Sequence, residues 1–414
     1  MMGRLNLLDV SSFIEKQRFI INLGKALHQF GTPAYRLESH LQNVSELLGL
    51  RGSFLIMPTG LTFLLYNKSD PQQHHYMARV EPGGLDLDKL ACTDKLVGEL
   101  ESGARTLAQA IDRLDQITHK ADIWGTLPTL IAFACSGGAF AMLISSSWSN
   151  VIWATLLSLV NFGLVYLAGR SERVSNMLEP LVAMVAALLA SSIAQFDPTI
   201  NVSIVILSAI IIFIPGLTLT LGLAELSARH LISGTARFMD GLMSMFKLYF
   251  GAVLGITLST LLLPEVEYVQ ALPVPDWTRW LAVLVLSSTL VVMFKSRLKD
   301  APWGILSGFI AYLSTLWANG YLDPSLSAFV GAFAVGVYSN LFARWMKAPA
   351  LIVSLQGVVL LVPGSKVYIG LNTLISGEQM VTTNSLGPQT FLIFMSLVAG
   401  LIFANVLVAP KRSL

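Results

Sequence analysis

Apolar and polar residues divide this chain into two regions of different character. Up to residue 122 the apolar positions recur at short, regular intervals, as they do where each element of a soluble domain buries one face. From Trp124 onward, apolar runs of about 18 to 25 residues follow one another, and each is long enough to cross a bilayer core of roughly 30 Å. The pattern predicts a soluble N-terminal domain followed by a membrane region.

The first region, residues 1–122, is predicted to be a small α+β domain. Two stretches with the helical period are separated by the break Gly31-Thr32-Pro33, and runs typical of strands follow them. The predicted order is helices over 11–30 and 34–48, strands over 52–57, 60–66 and 75–80, and helices over 85–101 and 104–120. Charged residues interrupt the first positions of the chain, so no cleavable signal peptide is expected and the domain is expected in the cytoplasm.

The second region is predicted to be an all-α polytopic membrane domain with about ten transmembrane helices. They are placed over 126–146, 150–169, 178–196, 202–225, 241–263, 279–295, 302–319, 325–343, 350–374 and 389–409. With both termini in the cytoplasm, eleven basic residues fall in cytoplasmic loops and Arg279 alone falls in the opposite loops. The eleven are Arg170, Arg173, Arg229, Arg237, Lys295, Arg297, Lys299, Arg344, Lys347, Lys411 and Arg412. This bias predicts an even number of helices in the plasma (inner) membrane, with both termini cytoplasmic.

One motif occurs twice in the membrane region, each time inside a long apolar segment. Ile214-Pro215-Gly216 lies in the fourth predicted helix and Val362-Pro363-Gly364 in the ninth. Proline removes a backbone donor and glycine favours leaving helical geometry, so both helices are predicted to break. Because the two helices are five apart, equivalent helices must cross the membrane in opposite directions. The sequence thus predicts two inverted five-helix repeats, residues 123–264 and 278–414.

Each break is expected deep in the hydrocarbon, where free backbone groups are tolerated only beside protein or a water-filled cavity. The last carbonyls of the incoming helix attract an ammonium group, and the first N–H groups of the outgoing helix attract a carboxylate. A zwitterionic amino acid carries both groups. Pro215, Gly216, Pro363 and Gly364 are therefore candidate substrate-binding residues. The alternative is a pair of packing kinks that bind nothing.

Three side chains near the breaks are further candidates. Lys366 follows the second break by two residues, at a depth where a charge needs a partner or an anionic ligand, although it could also extend toward the headgroups. Its counterpart in the first half is Thr218, and both join the candidate substrate-binding residues. Glu225, at the cytoplasmic end of the fourth helix, is a candidate proton-coupling group, and the alternative is an ordinary interfacial acid.

Composition narrows the class of protein. The chain is 54% hydrophobic and 13% charged, and its net charge of +2, with basic residues scattered along the chain, is too small to suggest a nucleic-acid partner. Cys92 and Cys135 form no metal-ligand pattern, and no nucleotide-binding or nucleophile motif occurs, so no metal, cofactor or enzymatic activity is predicted. The expected partners are a small-molecule substrate, protons and the lipid bilayer, and assembly into a homo-oligomer stays open.

The second predicted helix opens with a run that resembles a known family. The run Gly31-Thr32-Pro33-Ala34-Tyr35-Arg36-Leu37-Glu38, followed by Leu48-Gly49-Leu50, resembles the N-terminal domain of the threonine/serine exporters (ThrE family) of bacteria and fungi. The resemblance covers essentially the whole chain, as a fused form of relatives that are split in two. It implies a cytoplasmic N-terminal domain, about ten membrane helices, and export of threonine and serine driven by the proton motive force. It implies no role for any single residue.

These observations lead to one functional hypothesis with two alternatives. The hypothesis is a secondary active exporter of small amino acids that works by alternating access around the two broken helices. The first alternative is an exporter of dicarboxylates such as succinate, because split relatives have been linked to that activity. The second is a membrane-embedded sensor or enzyme whose N-terminal domain carries the activity.

Overall fold

A computed structural model of the chain describes residues 13–67, 70–264, 266–376 and 386–410. The basic residues Lys411 and Arg412, and the predicted helix start at residue 11, lie outside the described residues. The N-terminal domain consists of helices α1 (Phe13–Gln29) and α2 (Ala34–Leu47), strands β1 (Leu50–Met57), β2 (Gly60–Asn67) and β3 (Asp70–Arg79), and helices α3 (Leu87–Glu101) and α4 (Leu107–Thr118).

The N-terminal domain is the α+β unit that the sequence predicts, with all seven elements in the predicted order. The three strands form one antiparallel sheet in the order β1-β2-β3, in which Phe54 and Phe63 are paired. Strands β1 and β3 begin earlier than predicted, because their backbones pair with β2 over residues that precede the alternating apolar positions. Gly31 has a φ of +83°, a left-handed conformation that ends α1, and Pro33 precedes the first turn of α2.

The core of this domain lies between the sheet and its helices and continues into the membrane region. Phe19, Leu23 and Phe63 are completely buried in it. Leu351 and Leu355, which belong to the membrane region, are buried in the same apolar cluster. The N-terminal domain therefore packs directly on the membrane helices.

His28 makes the stability of the chain sensitive to acid. The side chain is 5% exposed, and burial lowers the pKa of its imidazole below the usual 6.5, against the opposing effect of a hydrogen bond at 2.9 Å between Nε2 and the Pro58 carbonyl. The unfolded chain therefore binds a proton that the folded chain does not, so stability falls as pH drops through 6.5. We expect the apparent melting temperature to fall between about pH 7.5 and about pH 5.5, and to fall less in His28→Gln.

The measurement is thermal unfolding of the full chain in detergent at the two pH values. His119→Gln is the matched control, because the His119 side chain is 76% exposed and its change should leave the pH dependence unaltered. An equal fall in the parent protein and in His28→Gln would contradict the assignment to His28.

The membrane region is helical throughout its described length apart from short turns and one longer connection. Its helices are α5 (Thr126–Leu143), α6 (Trp148–Ala168), α7 (Glu172–Asn176), α8 (Leu178–Ala194), α9 (Val202–Ala209), α10 (Gly216–Ser227), α11 (Leu231–Leu262), α12 (Thr278–Met293), α13 (Ala301–Asn319), α14 (Pro324–Met346), α15 (Leu351–Leu361), α16 (Gly364–Ser376) and α17 (Leu386–Leu407). Helices occupy each of the ten segments that the sequence predicts.

Length and apolarity identify fewer membrane spans than the ten predicted. Within the described residues, six helical spans are long and apolar enough to cross a bilayer, and a seventh is added if α9 and α10 count as one span bent by 55°. Helices α8 and α12 are apolar but shorter, and α13, with 19 residues, is not among the six. The structure thus confirms a polytopic helical membrane protein with a small N-terminal sheet, and the ten-helix count remains a prediction.

The helices of the two predicted halves pack in matching pairs. Helix α8 packs along α11 as α14 packs along α17, and α6 contacts α9 as α13 contacts α15. Helices α5 and α12, which begin the two halves, pack against each other. This arrangement brings the interrupted helices α9–α10 and α15–α16 to the interface between the halves.

Candidate functional site

Both Pro-Gly motifs interrupt their helices at the predicted position. In the first half, α9 is followed by a short 3₁₀ turn, Ile211–Phe213, and by Ile214 in extended conformation before α10 begins at Gly216. In the second half, α15 ends at Leu361, Val362 is extended, and α16 begins at Gly364. Because proline has no N–H, each break removes one helical hydrogen bond, and helix α16 begins with N–H groups that have no acceptor within the helix. At the first break, the Gly216 N–H donates to the Ile214 carbonyl at 2.8 Å.

The two breaks lie against each other. A Cβ atom added to Gly216 would stand 2.5 Å from Val362 Cγ1 and 3.2 Å from the Gly364 Cα atom. A Cβ atom added to Gly364 would stand 2.8 Å from Ile214 Cγ2 and 3.2 Å from the Gly216 Cα atom. Neither position has room for a side chain, so the two glycines allow the backbones of two broken helices to touch at one point.

A cavity of about 590 Å³ opens beside this contact, between the breaks and helices α5, α12, α13 and α14. Most of its lining is aliphatic or aromatic. The polar side chains that line it are Ser136, Thr289, Tyr312, Thr315, Asn319, Ser365 and Lys366. Its size lies within the range of small-molecule binding sites, and a mostly apolar wall with a few polar groups is typical of them.

Lys366 is the one charged side chain among the described residues that line the cavity. It is half-buried, and within the described part of the chain it makes no hydrogen bond or ion pair. A lysine without a partner in an apolar cavity attracts a carboxylate electrostatically. The hydroxyl of Thr315, on α13, is also buried and has no hydrogen-bond partner among the described residues.

The structure brings four of the six predicted substrate-binding residues to this cavity. Gly216, Pro363, Gly364 and Lys366 line it, whereas Pro215 and Thr218 lie beside the first break and do not. Sequence reasoning missed the other polar residues of the lining, namely Ser136, Thr289, Tyr312, Thr315, Asn319 and Ser365. No motif marks these residues, because isolated hydroxyls and amides occur on most membrane helices and only the packing shows which of them face the breaks.

Glu225, the predicted proton-coupling residue, lies away from the cavity. Its side chain is fully buried where the N-terminal domain meets α10 and α11. One carboxylate oxygen accepts the backbone N–H of Ala34 at 3.0 Å and lies 3.3 Å from Nε of Arg237, and the other accepts the Ser233 hydroxyl at 2.6 Å. The carboxylate therefore stands at the N-terminus of α2, where the helix dipole favours a negative charge.

A helical membrane region with a binding cavity at two interrupted helices is the arrangement of a membrane transporter. The family described as "Putative threonine/serine exporter" (ThrE) matches residues 18–259 of this chain, and a second threonine/serine exporter family model (ThrE_2) matches residues 279–407. Since the first match alone covers more than half of the sequence, the chain belongs to the threonine/serine exporter family, which is a family of transporters and not of enzymes.

Individual relatives agree with this placement. A threonine/serine exporter of Corynebacterium glutamicum is 26% identical over 72% of this chain and 63% of its own length. Pheromone-regulated membrane protein 10 is 24% identical in Yarrowia lipolytica, over 90% of this chain and 32% of the relative, and 22% identical in Saccharomyces cerevisiae, over 93% and 52%. The chain spans less than two thirds of the length of each of these relatives. No solved structure matches the chain.

Proposed function

We propose that this protein is a secondary active exporter of threonine and serine. The observation that supports it most directly is the cavity at the two breaks, which combines helix ends of both polarities with the Lys366 ammonium group, for which the described part of the chain supplies no partner. The family of the chain and the name of the Corynebacterium relative agree with this substrate class. The proposal places the chain in the plasma (inner) membrane with both termini in the cytoplasm, following the distribution of its basic loop residues.

In this proposal the substrate is held by the backbone at the breaks and by Lys366. The Lys366 ammonium and the open N–H groups of α16 bind the carboxylate of the amino acid. The carbonyls that lose their partners before Pro215 and Pro363 accept from its ammonium group. Thr218 is the counterpart of Lys366 on α10, and its hydroxyl binds the substrate when the two halves move relative to each other. The hydroxyls on the cavity wall bind the hydroxyl of threonine or serine.

Transport proceeds by alternating access of two inverted repeats, residues 123–264 and 278–414. The matching packing of α8 on α11 and of α14 on α17 supports this division, because each half then has its own framework. The touching glycines Gly216 and Gly364 supply a narrow contact about which one half can rock against the other. The proton motive force drives the cycle, with Glu225 as the residue that exchanges the proton.

The test is transport by the purified protein in liposomes. We expect labelled threonine and serine to cross the membrane faster when a pH gradient is imposed, and an added proton ionophore to abolish the acceleration. Liposomes without protein provide the background. Folded protein that moves neither amino acid, with or without the gradient, would overturn the amino-acid proposal.

Export of a dicarboxylate is a second candidate, because the positively charged side chain of Lys366 lines the cavity and no described lining residue is acidic. A dicarboxylate such as succinate would meet Lys366 with one carboxylate, and its second carboxylate would need the N–H groups at the helix starts. Competition separates the two candidates. Excess succinate should leave the flux of labelled threonine unchanged if the amino-acid proposal is right, whereas excess threonine should leave the flux of labelled succinate unchanged if the dicarboxylate is the substrate.

A further inference from the structure

The N-terminal domain is attached to both halves of the membrane region. On the second half, the backbone N–H groups of Leu87 and Asp88 donate to the carbonyls of Phe294 and Lys295, at 3.0 and 3.1 Å. Lys295 also forms an ion pair with Asp122, at 2.8 Å. Phe294 and Lys295 directly follow α12, so these contacts hold the end of that helix.

On the first half, the attachment is electrostatic and lies at the start of α2. The buried Glu225 carboxylate accepts the N–H of Ala34 and pairs with Arg237. Beside it, His230 Nδ1 lies 3.6 Å from a carboxylate oxygen of Glu38. Glu225 and His230 stand at or just beyond the end of α10, which is the helix that starts at the first break. The domain therefore binds the end of α10, the helix that carries one half of the binding site.

The domain also supplies part of the cavity wall. Leu85, in the loop before α3, lines the same cavity as Gly216 and Lys366. Two glycines hold this loop close to the end of α1: a Cβ on Gly83 would overlap the backbone carbonyl of Gln29, and a Cβ on Gly31 would stand 2.8 Å from Leu85 Cδ2. These close backbone contacts fix the position of the loop, and with it the position of Leu85.

Taken with the proposed function, on which this inference rests, we propose that the N-terminal domain is the gate on the face it covers. Leu85 closes the cavity, and the Glu225 carboxylate at the N-terminus of α2 is the lock that keeps the domain in place. The domain joins the end of α12 to the end of α10, so the two halves cannot separate on this face while it is docked. Substrate enters from this face only when the domain lifts.

A reversible cross-link tests whether the domain must lift. The rings of Tyr35 on α2 and His230 beyond α10 have centroids 6.4 Å apart, so Tyr35→Cys and His230→Cys can be joined by a short bis-methanethiosulfonate linker. The background is Cys92→Ser and Cys135→Ser. We expect the cross-linked protein in liposomes to lose threonine transport and to recover it when a reducing agent removes the linker. Each single cysteine variant, treated in the same way, is the control. Full transport by the cross-linked protein would overturn the gate.

A labelling experiment tests the lock without any transport. In the cysteine-free background, Leu85→Cys should react slowly with a maleimide, and the further change Glu225→Gln, which keeps the size of the side chain and removes its charge, should accelerate the reaction at least tenfold. Leu55→Cys, on the exposed face of the sheet, is the control and should react at one rate in both backgrounds.

The two experiments separate the gate from the transport proposal. An unchanged rate at Leu85→Cys after Glu225→Gln would overturn the lock. If the reduced double-cysteine protein transports no threonine, the substrate proposal fails, and the labelling rates alone then decide whether the domain is a gate.

Discussion

Gly216→Leu and Gly364→Leu should each insert into the membrane and lose threonine and serine transport. The two glycines bring the backbones of α10 and α16 so close that an added Cβ already stands 3.2 Å from the opposite Cα atom. A leucine at either position must push the two broken helices apart, at a cost of about 1–3 kcal/mol for added bulk in a tight contact. Separation of the breaks removes the geometry in which both helix ends face one substrate, so we expect flux at the level of protein-free liposomes.

The matched control is Gly163→Leu. Gly163 lies on α6 with no atom within 4 Å of an added Cβ, so the same change there adds the same bulk without a clash. Membrane insertion is measured by extraction and size-exclusion profile, and transport by flux of labelled substrate. Normal flux in both break variants would show that the breaks are packing kinks.

Lys366→Met should weaken substrate binding strongly and leave folding intact. Lys366 makes no hydrogen bond or ion pair within the described residues, so its removal leaves no buried partner unsatisfied in that part of the chain. A hydrogen bond to a charged group contributes about 1.5–3 kcal/mol, which corresponds to roughly a ten- to hundredfold rise in the half-saturating threonine concentration. The measurement is initial flux as a function of threonine concentration on the side from which it is exported.

Two further variants test whether the effect comes from the positive charge in the cavity. Lys366→Arg keeps the positive charge and should retain more of the affinity than Lys366→Met. Lys247→Met changes a lysine of α11 that lies 3.9 Å from Glu179 and outside the cavity lining, so the half-saturating concentration should stay at the parent value. Unaltered affinity in Lys366→Met would mean that the lysine reaches toward the headgroups during transport, as the alternative interpretation of the sequence holds.

The elements of the N-terminal domain and the two breaks were predictable because local chemistry decides them. The run Gly31-Thr32-Pro33 ends one helix and starts the next through a left-handed glycine and a proline without an N–H, whatever the domain packs against. The same holds for Pro215 and Pro363, each of which stops the helix before it.

Other features depended on contacts between residues far apart in the chain. The sequence placed Glu225 at the end of a helix, where an interfacial acid and a proton carrier look alike. Its binding to Ala34, 191 positions away, joins two domains, and no local pattern reports such a pair. Ser136 and Thr315 are also ordinary hydroxyls until the packing of α5 and α13 turns them toward the cavity.

By itself, the sequence determined the class of the protein, the order of its N-terminal elements and the two places where membrane helices break. These follow from hydropathy, period and backbone chemistry, which act over a few residues at a time. Only the tertiary structure decided that the breaks touch, that Lys366 and Leu85 line the cavity beside them, and that Glu225 binds the start of α2. Those relations depend on how the helices pack. Helix packing depends on the fit between surfaces whose residues come from distant segments of the chain.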